Sequence, residues 1–397
     1  MKELLRRVTV LASGISLSIG CAADPAADAS VLVDTVGTAT RTMSVTPMDS
    51  GSWHLVEVGR IDLSAEGPGA IGYVRDLTLF DDGTIAVADL RPAAVHLFSA
   101  AGTWQRQVGG MGSGPGEYED AFLARAGDTL VVQDRRNSRA IWFGRDGAAL
   151  HHVPTACCMT EGIGIDAAGR VMVPASNGRE GTKLWVRVRS DGSAPDSLVV
   201  HDSRFVAPPV WSVTGPGGGF GKLVPLVPAV RVAPDAHDGF VIGWSGEYLL
   251  RRSATGRDTV ALFGRTLSSR ERMDDVARQQ FAEASAQRDA LVEGLPVEQL
   301  RAAYDPTLLP EEPELFDALW VDPAGRTWVQ RTGGDTTTVQ LDLFDAEGRL
   351  LDEVRVPAAG WPTMPYQRPV SWTRDGAAVA VQTDSGFTVI RYRIVRD

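Results

Sequence analysis

The chain has 397 residues, 44% of them hydrophobic, and its 50 acidic residues against 39 basic ones give a net charge of −11. That is enough apolar material for a large core. With no basic block, it argues against nucleic acid, whose binding rests on neutralised phosphates, and against electrostatic docking on anionic lipid. The basic residues are nearly all Arg: Lys occurs only at Lys2, Lys183 and Lys222, and Asn only at Asn137 and Asn177. A GC-rich genome produces that bias, so no single exposed Arg is taken as chosen for recognition.

Residues 1–21 form a targeting segment. Lys2, Arg6 and Arg7 give a positive start, and Val8 to Ile19 is an apolar core of 12 residues, too short to span a bilayer. Leu17-Ser-Ile-Gly20-Cys21 resembles a bacterial lipobox, which implies that Cys21 is acylated and becomes the new N-terminus. Ser18 stands where that motif usually has Leu, and ordinary cleavage near Ala23 is the alternative. Two or three acyl chains would anchor the protein stably. In a Gram-negative cell, Ala22 after the Cys implies the periplasmic face of the outer membrane. Residues 22–52 are rich in Ala, Thr, Ser and Asp with no sustained period, and are expected to be a disordered tether.

Trp53 to Leu63 alternates apolar and polar residues as a half-buried strand does, but has no partner strands before it. From Tyr73 to Pro154 the chain holds two copies of one unit, each with four short apolar runs separated by Gly-containing turns. Asp89 to Asp134, Phe98 to Phe143 and Gly102 to Gly147 are each 45 residues apart, the period of a four-stranded propeller blade. Blade one is placed at 74–110 and blade two at 121–153. Between them lies Gly112-Ser-Gly-Pro-Gly-Glu117-Tyr118, and blade two carries Asp134-Arg-Arg-Asn137-Ser-Arg139-Ala-Ile141-Trp-Phe143. These residues resemble the NHL-repeat propellers. In blade one the match is partial, with Pro92 and Ala94 in place of Asn and Arg. The resemblance implies a fold and not an activity.

Blade three follows at 162–200, with Gly192 continuing the step of 45 residues from Gly147. Residues 203–228 are rich in Gly and Pro and show no clear strand. Blade four is placed at 229–264. In the insert at 265–313, Ser268-Ser-Arg-Glu271 reads as a capping box before a helix with Met273, Val276, Ala277, Phe281 and Ala284 on one face. A shorter helix is expected from Val297 to Tyr304. The apolar stripe is narrow, so the insert is expected to rest on the propeller rather than form a domain. Blade five is placed at 315–357. Blade six, at 369–395, offers three strands, and Trp53 to Leu63 supplies the fourth. The expected fold is all-β: a six-bladed propeller over 53–397, closed by its N-terminal strand. A count of five or seven would need a split or merged unit near 203–230 or 357–370.

Links between blades share one face of a propeller with the second-to-third strand loops. Every long connection here falls on that face, including the loop from Ala175 to Lys183, and elaborated loops on a rigid scaffold are where binding concentrates. Charged residues expected at the channel mouth or on this face are Arg75, Asp76, Arg91, Glu117, Glu161 and Arg231. Cys157-Cys158 is either a vicinal disulfide or a pair of reduced thiols. The histidines (His54, His96, His151, His152, His201 and His237) fall in outer strands or turns, so a zinc site converging on the channel is not expected. No Gly-x-Ser-x-Gly elbow or Walker loop appears, and Asp89 and Asp134 are read as strand-end residues that bond backbone. No catalytic residue, metal site or cofactor is therefore assigned. The reading is a monomeric cell-envelope lipoprotein. It acts as a non-catalytic binding or scaffold module and engages an envelope protein, peptide or glycan through the elaborated face. It touches the membrane only through its lipid. The alternative is a metal-dependent hydrolase or lyase, lactonase-like, working in the central channel.

Overall fold

The computed structural model describes residues 31–63, 69–155, 163–166, 169–177, 182–189, 196–202, 204, 208–215, 218–235, 239–267, 269–293, 295–333, 337–362 and 369–397. Six antiparallel four-stranded sheets make a ring. Blades one to five occupy 74–108, 121–154, 164–201, 230–265 and 316–357. Blade six combines three C-terminal strands with a strand from the start of the chain: Trp53 lies opposite Arg396 and Asp62 opposite Thr388. The expected closure is therefore present.

Each blade's second strand is sandwiched between two neighbouring sheets, which is why it is apolar on both faces. Ile85, Ala86, Val87 and Ala88 are all 0% exposed. The fourth strand faces solvent, and in blade one it reads Trp-Gln-Arg-Gln-Val, buried only at Val108. On the link face each of four blades is tied to its own incoming link by a backbone bond at or just past the end of the second strand: Leu90 to Tyr73, Arg135 to Asp120, Ser245 to Ala229 and Thr332 to Leu315. Asp89 and Asp134 reinforce it. The Asp89 carboxylate accepts the N–H groups of Gly72, Tyr73 and Arg91, and that of Asp134 accepts those of Glu119 and Asn137, as their strand-end placement implied.

The N-terminal stretch departs from the expected tether. Val31–Val36 (β1) and Ala39–Ser44 (β2) form a hairpin, and β2 runs parallel to the outer strand of blade four, from Thr40 opposite Ala261 to Ser44 opposite Arg265. The chain then crosses blade five, where Met48 and Asp49 donate to the carbonyls of Leu350 and Leu351. The buried Asp352 carboxylate accepts the N–H groups of Gly51 and Trp53. There Trp53–Asp62 (β3) begins. Residues 31–62 therefore form a girdle over the rims of blades four, five and six. Alternation in β2 is carried by small residues, Ala39, Thr42 and Ser44, so no hydrophobic period announced a strand.

The two inserts also differ from expectation. Residues 210–215 and 218–223 pair as an antiparallel hairpin. Its strand character lies in the two inward residues Trp211 and Val213, each 1% exposed, while glycines fill the second arm. In the other insert, α1 spans Asp275–Glu293 and α2 spans Val297–Ala303. The helix starts after the expected capping box, of which Ser268 lies outside the described residues. Asp274 caps α1 instead, its carboxylate accepting the N–H of Ala277 at 2.8 Å. The buried face carries Ala282, Ser285, Ala286 and Asp289, whereas Val276 is 63% exposed. Small residues at the spacing of one helix face bring α1 close to its neighbours.

Candidate functional site

The two inserts flank blade four and share one core, so they build a single cap on the link face. Trp211 and Val213 of the hairpin and Val224 beyond it pack with Ala282, Ala286, Leu300, Tyr304 and Leu309 of the helical insert. The rings of Trp211 and Tyr304 stack at 4.2 Å and 15°, and the Trp211 indole donates to the Asp305 carbonyl at 3.0 Å. Asp289, 4% exposed, accepts the Tyr304 hydroxyl at 2.8 Å and pairs with Lys222 of the hairpin at 2.5 Å. Burial raises its pKa, but the bonds from Lys222 and Tyr304 prevail and hold the carboxyl below its usual range. Where the inserts return to the propeller, the Leu226 carbonyl accepts the Glu314 N–H at 2.9 Å. Leu226 holds φ at 63°, a left-handed conformation that a Leu adopts only where its surroundings impose it. On the outside of the cap, Val210, Phe220, Val276 and Leu308 are exposed.

Charged residues also stand near the link ends of the inner strands. In blades one and five the inner strand is bulged one residue in from its link end, at 75 and at 317, and a bulge re-aims the side chain it carries. Both bulged residues are charged. Arg75 pairs with Asp120 at 2.9 Å and lies over the Phe122 ring at 4.4 Å; Asp120 also holds Arg135 at 2.5 Å. Asp76 accepts the N–H of Leu123 at 2.8 Å from the next blade, and that of Leu77 at 2.9 Å. Desolvation, only partly offset by these bonds, pushes its carboxyl up to about 6.

On blade four, Arg231 pairs with Glu314 at 2.5 Å, and Glu314 accepts the Ser245 hydroxyl at 3.1 Å. Glu314 is 6% exposed. Burial raises its pKa, Asp317 adds to that, and Arg231 opposes it. Lys183, on the third strand of blade three, is 5% exposed. Burial, and after it the like charge of Arg231, bring its amine down to about 7.

Arg75, Asp76 and Arg231 lie near the link ends of the inner strands of blades one and four, and each is engaged with protein. Arg91 is exposed and stacks over Tyr73 at 5.4 Å. Glu117 shapes its own loop: its carboxylate accepts the Gly114 N–H at 2.7 Å, and a side chain at Gly112, where φ is +149°, would lie 2.2 Å from that carboxylate. Cys21, Cys157, Cys158 and Glu161 lie outside the described residues. Sequence reasoning missed Lys183, Ser245, Glu314 and Asp289. Lysine is scarce enough in this chain to have marked Lys183, but Ser245 and Glu314 sit in loops without a motif. Among the described residues no group of three or more His, Cys, Asp and Glu side chains could hold a metal ion. A small hollow of about 40 Å³ lies on the opposite face between blades one and two, lined by Phe80, Leu97, Leu130 and Arg145 among others. Arg145 is already balanced there by Asp82 and Asp128, at 2.8 Å each.

No family model matches the sequence, and no curated protein is similar to it in sequence. Solved structures resemble it in shape. A Bacteroides fragilis protein described as exported is 9% identical, with 89% of this chain and 98% of that one covered and a TM-score of 0.46. A member of the DUF4221 family from Bacteroides vulgatus is 7% identical, with coverage of 88% and 100% and a TM-score of 0.48. Virginiamycin B lyase from Staphylococcus aureus is 10% identical, with coverage of 88% and 97% and a TM-score of 0.41. At these identities no activity passes from any of them to this chain.

Proposed function

We propose that this chain is an exported, lipid-anchored propeller of the cell envelope that acts as a monomeric, non-catalytic binding or scaffold module. Its partner is a protein, peptide or glycan engaged by the link face. The observation that carries this reading is the cap. Two separate inserts on either side of blade four fold around one shared core. A chain spends two insertions and a strained Leu226 on one face of an otherwise regular ring, and the apolar side chains Val210, Phe220, Val276 and Leu308 are left open there. Aromatic and aliphatic anchors with a charged surround are what a protein or glycan surface meets at an interface. The basic start and apolar core of residues 1–21, with Cys21 at their end, support export and acylation. No described helix is long and apolar enough to cross a membrane.

The test is site-specific photocrosslinking in cells that express the full chain. A photoreactive residue at Phe220 of the cap is expected to give a discrete adduct that the same residue at Leu150, on the exposed outer strand of blade two, does not. Adducts from both positions alike, or from Leu150 alone, would overturn the reading. Metabolic labelling with a radioactive fatty acid tests the anchor: wild type is expected to label and Cys21→Ser not to.

A further inference from the structure

An open edge strand is a template for another strand, and proteins guard such edges with bulges, charges or proline. The outer strands of blades one, two, five and six are each broken by a register shift. The outer strand of blade four is covered by β2, so that sheet ends at β1 instead. β1 carries none of these guards. Its register with β2 runs unbroken from Val31 opposite Ser44 to Val36 opposite Ala39. It holds no Pro or Lys, and its one charge, Asp34, is taken by Arg41 of the same hairpin at 2.8 Å. Leu32, Val33 and Val36 are 61%, 64% and 43% exposed, and alternation puts them on both faces of the strand. Among the described residues no strand pairs with the outer side of β1.

The turn fixes which backbone groups point outward. Gly37-Thr38 is a two-residue turn whose closing pair exchanges hydrogen bonds, and bonded pairs then alternate with open ones. Val31, Val33 and Thr35 therefore direct N–H and C=O away from β2. The other arm agrees: Ser44, the partner of Val31, gives its carbonyl to the Thr266 N–H outside the hairpin. We propose that β1 is a strand-addition site on the rim of blade four. It takes an extended segment of another protein, β-branched in its middle and neutral or basic overall. Donors and acceptors that repeat every second residue, about 6.6 Å apart, are matched by an extended backbone and not by a lipid surface or a sugar chain. Charge decides between a foreign segment and a second copy. Each copy carries −11, so self-pairing sets like charge against like, which a neutral or basic segment avoids. The site lies on the rim and not on the cap, so it goes beyond the reading of the link face, and either can fail without the other.

The probe is a fluorescent Lys-Val-Thr-Val-Thr-Val-Lys peptide titrated into the full folded chain. Its control is the same peptide N-methylated throughout, which keeps the side chains but cannot pair along an edge. The plain peptide is expected to bind saturably and to slow amide exchange at Val33 and Thr35, and the methylated one to do neither. Val33→Pro removes an outward N–H and leaves the hairpin's own bonds in place, so it is expected to weaken binding at least about tenfold. Val33→Lys keeps every backbone bond and sets a positive charge against the peptide's lysines, and it is also expected to weaken binding. No saturable binding, equal binding of the methylated peptide, or affinities that ignore both Val33 variants would overturn the proposal. So would a wild-type dimer in sedimentation that Val33→Pro dissolves, which would assign β1 to a second copy. An adduct formed from Phe220 of the cap is untouched by any of these results.

Discussion

Trp211 and Tyr304 stack face to face, one from each insert, at 4.2 Å. That contact makes two insertions one body. Trp211→Ala removes a fully buried ring and its indole bond to Asp305, and large aromatic truncations in a core cost about 3–5 kcal/mol. The loss should be local. Hydrogen exchange is expected to speed up across 275–303 and 210–223, while the second strands of the blades keep their protection. Uniform loss of protection would show that the cap is part of the propeller's own cooperative unit.

Asp76 sets a pH dependence of unusual sign. Its carboxyl is pushed up by burial to about 6 from an ordinary 3.8, so the folded state holds the proton more tightly than the unfolded chain. The stabilisation is fully present below about pH 4 and is lost as pH rises through about 6. A shift of about two pKa units is at most about 3 kcal/mol, since Asp76 keeps part of its surface open. Denaturant melts of wild type and Asp76→Asn at pH 4.5 and 7 check this. Wild type is expected to lose more stability than the variant over that interval, and an equal change would refute it.

The girdle should contribute measurably to stability. Asp352, 1% exposed, accepts two backbone N–H groups from the girdle and nothing replaces it. Asp352→Ala is expected to cost about 1–3 kcal/mol by leaving buried donors unpaired. A chain starting at residue 47 is expected to melt below one starting at residue 31, because it strips β2 from the edge of blade four. Identical melting temperatures for the two chains would show that the hairpin rests on the rim without stabilising it.

The binding-module reading also predicts how the protein meets cations. A cation held by the native state at a hundred times its dissociation constant adds about 2.7 kcal/mol. Metal-stripped protein is expected to melt unchanged when calcium, zinc, manganese or magnesium is added. A clear rise with one of them would favour the channel-hydrolase alternative and call for a screen of lactones and esters.

The ring was legible because its punctuation is periodic. Gly102 and Gly147 sit at equivalent turns, and Asp89 and Asp134 at equivalent strand ends, so one blade taught the next. The closing strand was legible because blade six lacked a partner and Trp53 to Leu63 had a partner to give. What escaped notice has no period. The hairpin at 210–223 turns only Trp211 and Val213 inward from its first arm, and its second arm is largely glycine, so no alternation survives. The start of α1 was misjudged because Glu271 mimics a capping box while Asp274, three residues later, does the capping. Lys183, Arg231, Ser245 and Glu314 come from two blades and a return leg, and no spacing along the chain encodes a meeting in space.

The girdle also sets an order of events. β3 finds its partner only in Gly386–Arg396, and the last residue, Asp397, donates its N–H to Ser52. β3 is therefore made early and must wait, with its edge open, until residues 386–396 follow. A transcript cut short by one strand would deliver five complete sheets and an unclosed ring with an open edge at each end. Such edges recruit other strands, so losing residues 386–396 harms this ring more than losing a terminal strand harms a fold whose sheets close locally.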